Sequence, residues 1–230
     1  MEPSETVRTQ KRYDRQAAVY DLTEAPMELV AFGRLRRRLW ADVNGDVVLE
    51  VGVGTGKNLS FHPEGARVVA VDLSPRMLRR AASRARRLGK DVDLVLADAQ
   101  QLPFCDDAFD AAAATFVFCS VPDPVAGLQE VRRVVCEEGR VHLLEHVRAR
   151  NPVIGQLMDL ANPIAVRLTG ANINRDTVSN VSRAGITVDA VESRFGLVKL
   201  IRGHPSEAAS PGDRAAAVEA AGATGDVAHG

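Results

Sequence analysis

The clearest pattern along the chain is a series of short apolar runs that alternate with stretches of helical periodicity. Each run is continuously apolar and rich in β-branched residues, as in strands of a parallel sheet that helices cover on both faces. The five runs are 46–54, 66–74, 92–100, 109–120 and 139–147. Because helical segments separate them, the pattern predicts a doubly wound α/β sheet with right-handed crossovers.

Two helical segments between these runs carry recognisable boundary signals. The segment 74–89 begins with Ser-Pro, which suits an N-cap and the first helical position, and it ends at a glycine. The segment 123–139 repeats this design, with Asp-Pro at its start and a glycine at its end. We therefore expect one helix in each segment, ending at the glycine.

The two ends of the chain depart from this repeat. Residues 1–45 contain an amphipathic stretch in which apolar positions recur at spacings of three and four from Leu29 to Trp40. Two strand-like runs within 188–203 leave no room for a helix between them, which predicts an antiparallel hairpin at the sheet edge. The final segment, 204–230, has small residues without large apolar anchors, and we expect it to be disordered.

Composition narrows the classes of function. The 29 basic and 30 acidic residues nearly balance, which argues against a protein that mainly binds nucleic acid. No apolar run approaches the roughly 18 residues that a membrane-spanning helix needs, and the N-terminus lacks the apolar stretch of a secretory signal. The three cysteines show no metal-ligand spacing, and a reducing, cytoplasmic setting fits them best.

Three glycines directly follow the first strand. They stand in the spacing E-x-G-x-G-x-G, formed by Glu50, Gly52, Gly54 and Gly56. Glycines at such a turn let the backbone approach a ligand closely and bend into the next helix. The dinucleotide fingerprint would need its third glycine at Lys57, so that spacing is not met. An acidic residue ahead of the glycines suits a ligand with a cationic amino group, and a purely structural turn is the alternative.

Two further carboxylates close the next two strands. Asp72 ends the second strand, where a carboxylate can accept both hydroxyls of a ribose. Asp98 ends the third, where it can accept a hydrogen bond from an adenine amino group. Met77, one turn into the following helix, suits packing on an adenine face, although taken alone it is better explained as helix core. Because Glu50 adds a third carboxylate at a neighbouring strand end, we expect one nucleoside-binding site there.

These motifs resemble those of the class I S-adenosylmethionine-dependent methyltransferases. The matching stretches are VLEVGVGTG, VVAVDLSPRML, ADAQQLPF and EVRRVVCEEGRVHLLEHV, within about residues 13–202. The resemblance implies a seven-stranded sheet in the order 3-2-1-4-5-7-6, with strand 7 antiparallel, and S-adenosylmethionine as the cofactor. It also implies a set of cofactor-binding residues, with the last two near the sulfonium: Glu50, Gly52, Gly54, Gly56, Asn58, Asp72, Leu73, Met77, Asp98, Ala99, Gln100, Thr115 and Phe116.

Closer resemblances concern the start of the chain and the region after strand 4. YDRQAAVYD is similar to the opening of the ubiquinone/menaquinone C-methyltransferases and of bacterial phosphatidylethanolamine N-methyltransferases, in which a tyrosine closes over the cofactor. This likeness gives that role to Tyr20, with Tyr13 as second candidate, and makes 1–45 a helical lid on a methyltransferase core over 46–203. TFVFCSVPDP, with LLEHV and GANINRDT, resembles the thiol-methylating methyltransferase-like family.

The methyl acceptor is less clearly indicated. His146, directly after the fifth strand, is the candidate general base, with a structural histidine as the alternative. Glu145 either orients His146 or serves as a cap or ion pair, and Cys119 is expected to be a packing residue. The segment 151–170 is expected to form two proline-interrupted pieces that line an acceptor pocket, touch a membrane or pack on the sheet. The arginine run 34–38 is expected to be a solvated helix face.

The combined interpretation is a methyltransferase without a metal site, acting on a small, lipophilic acceptor such as a thiol, a lipid amine or a quinone. A phospholipid N-methyltransferase is the alternative within that class, and peripheral contact with a membrane goes with it. From other classes, a nucleotide-binding oxidoreductase and a non-catalytic cofactor-binding partner protein stay open.

Overall fold

The computed structural model describes residues 4–17, 32–149, 151–169, 171–194 and 196–206, and within these it has seven strands, six α-helices and a short 3-10 helix at Leu59–Phe61. The strands are β1 Val47–Val51, β2 Arg67–Asp72, β3 Asp93–Leu96, β4 Phe109–Thr115, β5 Val135–His146, β6 Ile186–Arg194 and β7 Val198–Pro205. The helices are α1 Glu5–Gln16, α2 Gly33–Ala41, α3 Pro75–Leu88, α4 Pro124–Val134, α5 Pro152–Thr169 and α6 Thr177–Arg183.

The strands form one sheet in the order β3-β2-β1-β4-β5-β7-β6. Neighbours from β3 to β5 pair in parallel, whereas β7 pairs antiparallel with both β5 and β6. This confirms the predicted order and the antiparallel hairpin. Because the central strand β1 precedes both of its neighbours in sequence, the chain winds outward from it in two directions, and the carboxyl ends of β1 to β5 share one edge.

Helices cover both faces of the sheet, which explains the continuously apolar strands. On one face, side chains such as Leu49 and Leu143 pack with Leu128 of α4 and Val181 of α6. On the other face, Trp40 and the rest of the apolar stripe of α2 pack on alternate strand positions. Each strand therefore has apolar residues at successive positions.

The first predicted inter-strand helix is confirmed, and the second ends earlier than expected. α3 has Ser74 as its N-cap, with Oγ accepting from Met77 N at 3.1 Å, and Gly89 follows in the left-handed conformation. α4 stops at Val134, because Val135 already pairs with Phe109 as the first residue of β5. Gly139 lies inside β5, where a Cβ would stand 2.7 Å from the carbonyl oxygen of Asp110. Close strand approach, not a helix stop, explains this glycine.

The segment after β5 is one helix, and the expectation of two pieces is wrong. Asn151 caps α5, its Oδ1 accepting from the backbone N–H of Val153 and of Ile154. Pro163 lies within the helix, since a proline removes one backbone donor without necessarily ending the helix. Core packing is also wrong for its main apolar face, whose residues are strongly exposed: Leu157 61%, Leu160 78% and Ile164 64%.

The chain ends bear on two further expectations. β7 runs through His204 to Pro205, so order extends past the predicted start of the tail, and 207–230 lies outside the described residues. Tyr20 also lies outside them. None of the helices in the described ranges combines the length and the apolarity needed to cross a bilayer.

Candidate cofactor site

A cavity lies at the carboxyl ends of β1 to β4, the edge of an α/β sheet at which ligands bind. The predicted cofactor-binding residues that line it are Gly52, Gly54, Asp72, Leu73, Met77, Asp98, Ala99, Thr115 and Phe116. We call the segment 116–122 after β4 the β4 turn. Further lining residues come from the β4 turn and from α1: Val117, Ser120, Val121, Pro122, Thr9 and Tyr13.

The first two glycines of the motif shape one wall of the cavity. Gly52 has a φ of 71°, and an added Cβ would lie 2.4 Å from a methyl carbon of Val117. A side chain at this position would therefore displace the opposite wall. Gly54 has a φ of 55°, and its N–H donates to Asp72 Oδ2 at 2.8 Å. The glycine turn and the second strand are thus joined at the ligand edge.

Asp72 has a carboxylate that accepts a backbone hydrogen bond on each of its oxygens. Besides the bond from Gly54, its Oδ1 accepts from the backbone N–H of Ser74 at 2.8 Å. Burial raises the pKa of Asp72 to about 6, and the two backbone hydrogen bonds lower it in part. The group is ionised at neutral pH. It can therefore accept hydrogen bonds from sugar hydroxyls in a partly dehydrated site.

The third strand end forms a small polar cluster. Asp98 Oδ1 accepts from Gln100 N at 2.9 Å and from Gln100 Nε2 at 3.0 Å. Gln100 Oε1 accepts from the backbone N–H of Asp123. Asp98 lines the cavity and Gln100 does not, so Gln100 acts on the site by holding the Asp98 carboxylate in place. Met77 is buried beside these groups and lines the cavity with its neighbour Leu73.

Three predicted site residues lie behind the cavity wall instead of on it. Glu50 is fully buried, accepting from Asn58 Nδ2 at 2.6 Å and contacting His62 Nε2 at 2.8 Å. Asn58 Nδ2 also donates to Thr115 Oγ1 at 2.9 Å, and Thr115 does line the cavity. At Gly56, an added Cβ would lie 2.6 Å from Leu59 Cδ1. In the described structure these residues support the wall.

Arg36 belongs to this buried group, although the sequence predicts a solvated side chain at this position. Its Nη1 donates to Thr115 Oγ1 at 2.5 Å and to Asn58 Oδ1 at 3.0 Å. The expectation of a solvated face is correct for Arg34, Arg37 and Arg38, which are exposed, and wrong for Arg36, which is buried. The sequence held a signal for this, because position 36 fits the three-and-four spacing of the buried residues at the N-cap of α2 and within it: Phe32, Leu35, Leu39 and Trp40.

α1 lies across the strand ends and is held there by polar contacts. The contacts are Gln100 Nε2 to Thr6 Oγ1 (3.3 Å), Gln10 Nε2 to the Leu73 carbonyl (3.0 Å), Tyr13 OH with Ser120 Oγ (2.6 Å) and Ser74 Oγ to Asp14 Oδ1 (2.6 Å). No residue of α1 is buried over its whole surface; Tyr13 is half-buried, with its hydroxyl group against Ser120. Tyr13, the second candidate for the closing tyrosine, lines the cavity, and burial raises the pKa of its hydroxyl.

Three rings meet beside the cavity, and we call Phe32, Phe116 and His146 the aromatic cluster. Phe116 and His146 stack with centroids 4.6 Å apart, and Phe32 lies 4.6 Å from Phe116 and 5.7 Å from His146. Burial lowers the pKa of His146, so its imidazole is neutral at pH 7. His146 does not line the cavity; its ring stacks on that of Phe116, which does.

The two other candidate groups near strand 5 are both buried. Burial and the nearby Glu145 raise the pKa of the Cys119 thiol to about 12, so the thiol stays protonated. This agrees with a packing role for Cys119. Glu145 accepts backbone hydrogen bonds from the β4 turn, so it acts as a cap. It does not orient His146, because successive strand residues face opposite sides of the sheet.

The sequence is similar to those of several known methyltransferases. Residues 49–143 match the family described as methyltransferase domain. The chain is 35% identical to a phosphatidylethanolamine N-methyltransferase of Cereibacter sphaeroides, over 66% of this chain and 74% of that protein. It is also 35% identical to a demethylmenaquinone methyltransferase of Clavibacter sepedonicus, over 70% and 68%. This chain belongs to the S-adenosylmethionine-dependent methyltransferases. The nucleotide-binding oxidoreductase is therefore not supported.

Further similarities are to a thiol methyltransferase and to two solved structures. The chain is 33% identical to the human thiol S-methyltransferase TMT1B, over 49% of this chain and 50% of that protein. A methyltransferase of Thermotoga maritima has a TM-score of 0.64 at 20% identity, over 85% of this chain and 99% of that one. A geranyl diphosphate methyltransferase solved with sinefungin has a TM-score of 0.63 at 17% identity, over 75% and 78%. At these identities, the two solved structures support the fold.

Proposed function

We propose that the cavity at the ends of β1 to β4 holds S-adenosylmethionine. The residues fit that group, because Asp72 offers a carboxylate for the ribose and Asp98 offers one for the adenine amino group. Met77 and Leu73 supply apolar surface for the base, and Gly54 leaves open space where an added Cβ would meet nothing within 4 Å. When bound, the cofactor supplies an electrophilic methyl group on a cationic sulfur.

The acceptor that this site suits best is a small, lipophilic molecule. The observation that carries this proposal is the aromatic cluster, which continues from the cavity wall at Phe116 to Phe32 and His146. Aromatic walls favour apolar acceptors and exclude water, and an in-line displacement depends mainly on alignment and the exclusion of water. The cluster therefore suits an acceptor whose reactive atom is carried on an apolar body.

His146 is our candidate for the group that takes a proton from the acceptor. Its neutral imidazole is in the state that a base requires, and its ring stacks on Phe116, which lines the cavity. Because His146 does not itself line the cavity, a bridging water would have to carry the proton to it. A thiol or a ring carbon needs such help, whereas an amine only has to be neutral. Loss of the base is therefore expected to affect some acceptors and not others.

The relatives narrow the chemistry without fixing the acceptor atom. Their names specify phosphatidylethanolamine, demethylmenaquinone and thiols, which differ in nucleophile. Phosphatidylethanolamine methylation is our second candidate, because the exposed apolar face of α5 suits contact with a lipid surface: Val153, Ile154, Leu157, Leu160 and Ile164. Peripheral contact with a membrane through this face belongs to that proposal.

The N-terminal region is proposed to act as a lid over the cofactor. α1 is held by polar side-chain contacts and by no buried residue, so its separation from the strand ends costs little apolar surface. On this proposal α1 forms the lid, with Tyr13 at its contact with the core, whereas α2, which also lies within 1–45, packs on the sheet as part of the core.

The test is an acceptor panel assayed for release of S-adenosylhomocysteine. Alkyl thiols, demethylquinones and vesicles containing phosphatidylethanolamine are offered separately, each with and without S-adenosylmethionine. A lipophilic acceptor is supported by turnover with at least one of them that falls at least about tenfold when Phe116 is changed to Ala. Turnover only with charged, water-soluble amines or with nucleic acid would contradict it, as would an unchanged rate in the Phe116→Ala variant.

A further inference from the structure

The turn that walls the cavity has an unusual local geometry. Its first residue, Phe116, has a φ of 59°, a conformation that residues other than glycine rarely adopt. Its backbone N–H donates to the Leu144 carbonyl at 2.7 Å. The next residues bend like the first turn of a helix, with Ser120 N donating to the Val117 carbonyl at 2.8 Å. Such a bend leaves backbone N–H groups without partners at its start, as a helix does.

Glu145 supplies the missing acceptor from a neighbouring strand. Its Oε1 accepts from the N–H of Val117 at 2.8 Å and from that of Phe118 at 3.0 Å. A carboxyl group on β5 thus performs the task of an N-cap for a turn 28 residues earlier. Glu145 is fully buried, and its Oε2 has no hydrogen-bond partner among the described residues. Burial of a carboxyl group with one unpaired oxygen is costly, and the two hydrogen bonds from the turn offset part of that cost.

The opposite, carbonyl side of the same turn is held by the segment before α6. Asn172 donates to the Cys119 carbonyl from its backbone N–H at 2.8 Å and from its Nδ2 at 3.2 Å. Arg175 Nη2 donates to the Val121 carbonyl at 3.0 Å. The β4 turn is therefore fixed on both sides by side chains that are distant in sequence.

The β4 turn contacts other parts of the cavity wall through two of its side chains. Val117 fills the space above Gly52, and Ser120 bonds the Tyr13 hydroxyl of α1. A shift of the turn would therefore move the wall opposite the glycine motif and release one of the contacts that hold α1.

We propose that Glu145 is a positioning residue of this methyltransferase, whose buried carboxyl oxygen holds the β4 turn in the conformation that binds the cofactor. The role is exerted through the backbone of Val117 and Phe118 and requires an acceptor atom at Oε1. It does not require a proton to move. This inference rests on the proposed function, since it takes the cavity to be the cofactor site.

The test separates the acceptor atom from the charge. Glu145→Gln keeps an oxygen that can accept from the turn, whereas Glu145→Met keeps the length of the side chain and removes the acceptor. The dissociation constant of S-adenosylhomocysteine is measured by calorimetry, and turnover is measured with whichever acceptor the panel identifies. We expect binding within about threefold of the unchanged chain for the Gln variant, and at least about tenfold weaker binding for the Met variant.

A matched control is available at the other end of the sheet. Asp110 Oδ2 accepts from the backbone N–H of Asp46 at 2.8 Å and of Val47 at 2.9 Å, the same chemistry away from the cavity. Asp110→Asn and Asp110→Leu are expected to change stability without changing the dissociation constant. Should Glu145→Met fail to fold, Glu145→Asp withdraws the acceptor by one methylene, and it is expected to weaken binding at least about fivefold.

The outcomes are distinguishable. Weaker binding in Glu145→Met or in Glu145→Asp, with binding retained in Glu145→Gln, supports the inference. If Glu145→Met and Glu145→Asp both bind S-adenosylhomocysteine as the unchanged chain does, Glu145 has only a structural role and the inference is overturned. Normal binding with lost turnover in Glu145→Gln indicates proton transfer and overturns it as well. An Asp72→Asn variant that binds as the unchanged chain does would instead show that the cofactor site is elsewhere, and the proposed function and this inference would fall together.

Discussion

Tyr13 and Ser120 lie 107 positions apart in the sequence, and their hydroxyl groups form a 2.6 Å hydrogen bond beside the cavity that both residues line. The bond joins α1 to the β4 turn, and so it links the proposed lid to the wall of the proposed cofactor site. On the proposed function, Tyr13 is our candidate for the tyrosine that closes over the cofactor.

This bond gives the first prediction. Tyr13→Phe removes the hydroxyl and keeps the ring, so we expect S-adenosylhomocysteine to bind roughly three- to tenfold more weakly because α1 is held less firmly. Ser120→Ala is expected to have the same effect, and the double variant no more than either single one. Tyr20→Phe serves as the comparison. If Tyr20→Phe weakens binding and Tyr13→Phe does not, the closing role belongs to Tyr20.

The second prediction concerns pH and Asp72. Its pKa is raised from the ordinary aspartate value to about 6, so the carboxylate becomes protonated as the pH falls through 6. A protonated group accepts ribose hydroxyls poorly, and cofactor affinity should therefore decline between pH 7 and pH 5. In Asp72→Asn this decline should be much reduced, with affinity already low at pH 7. Calorimetry across this range measures both, and an equal decline in the two proteins would contradict the assignment.

The third prediction concerns stability and Glu145. Burial raises its pKa from 4.5 to about 7, so the folded chain holds this proton more tightly than the unfolded chain does. The group therefore lowers the free energy of unfolding as the pH rises from 4.5 to 7, by up to about 3 kcal/mol. Glu145→Gln has no titrating group at this position, so it does not lose this stability. Its free energy of unfolding relative to the unchanged chain should therefore increase with pH across that window in urea denaturation. A pH-independent difference would show that the pKa of Glu145 is not raised.

The fourth prediction concerns Arg36. Arg36→Met removes the buried donor that Asn58 Oδ1 and Thr115 Oγ1 share, and we expect a loss of about 3 kcal/mol in the free energy of unfolding. Arg37→Met, one position along α2 and exposed, is the matched control and should change stability by about 0.5 kcal/mol or less. Equal effects in urea denaturation would mean that the buried network contributes nothing specific.

The fifth prediction concerns the apolar face of α5. Leu157→Ser and Leu160→Ser together should reduce co-sedimentation with phospholipid vesicles by about fivefold or more, because they remove two strongly exposed leucines. Leu88→Ser and Leu96→Ser, at exposed leucines away from α5, are the control. Turnover of a soluble thiol should be unaffected. Equal sedimentation of the two double variants would contradict contact through α5.

Much of the fold was predictable because its signals are local. Apolar runs, Ser-Pro at the start of α3 and the glycines after β1 each act within a few residues, and the strand order followed from family resemblance. Asp72 and Asp98 were predictable for a related reason, since the carboxyl ends of parallel strands meet at one edge.

The remaining features depend on contacts between distant parts of the chain. In the sequence, Arg36 is one of several arginines in a charged run, and only the fold places it against Thr115, 79 positions away. Gly139 looks like a helix stop until β5 is seen to begin at Val135. Glu145 could have been an orienting group, a cap or an ion pair, and only the path of the β4 turn decides between them.

The most direct test of the proposed site is a crystal structure of the chain with S-adenosylhomocysteine. We expect the ligand in the cavity at the ends of β1 to β4, with both ribose hydroxyls within hydrogen-bond distance of the Asp72 carboxylate and the adenine between Met77 and Ala99. Ligand density away from this edge of the sheet, or a ribose without contact to Asp72, would contradict the proposal.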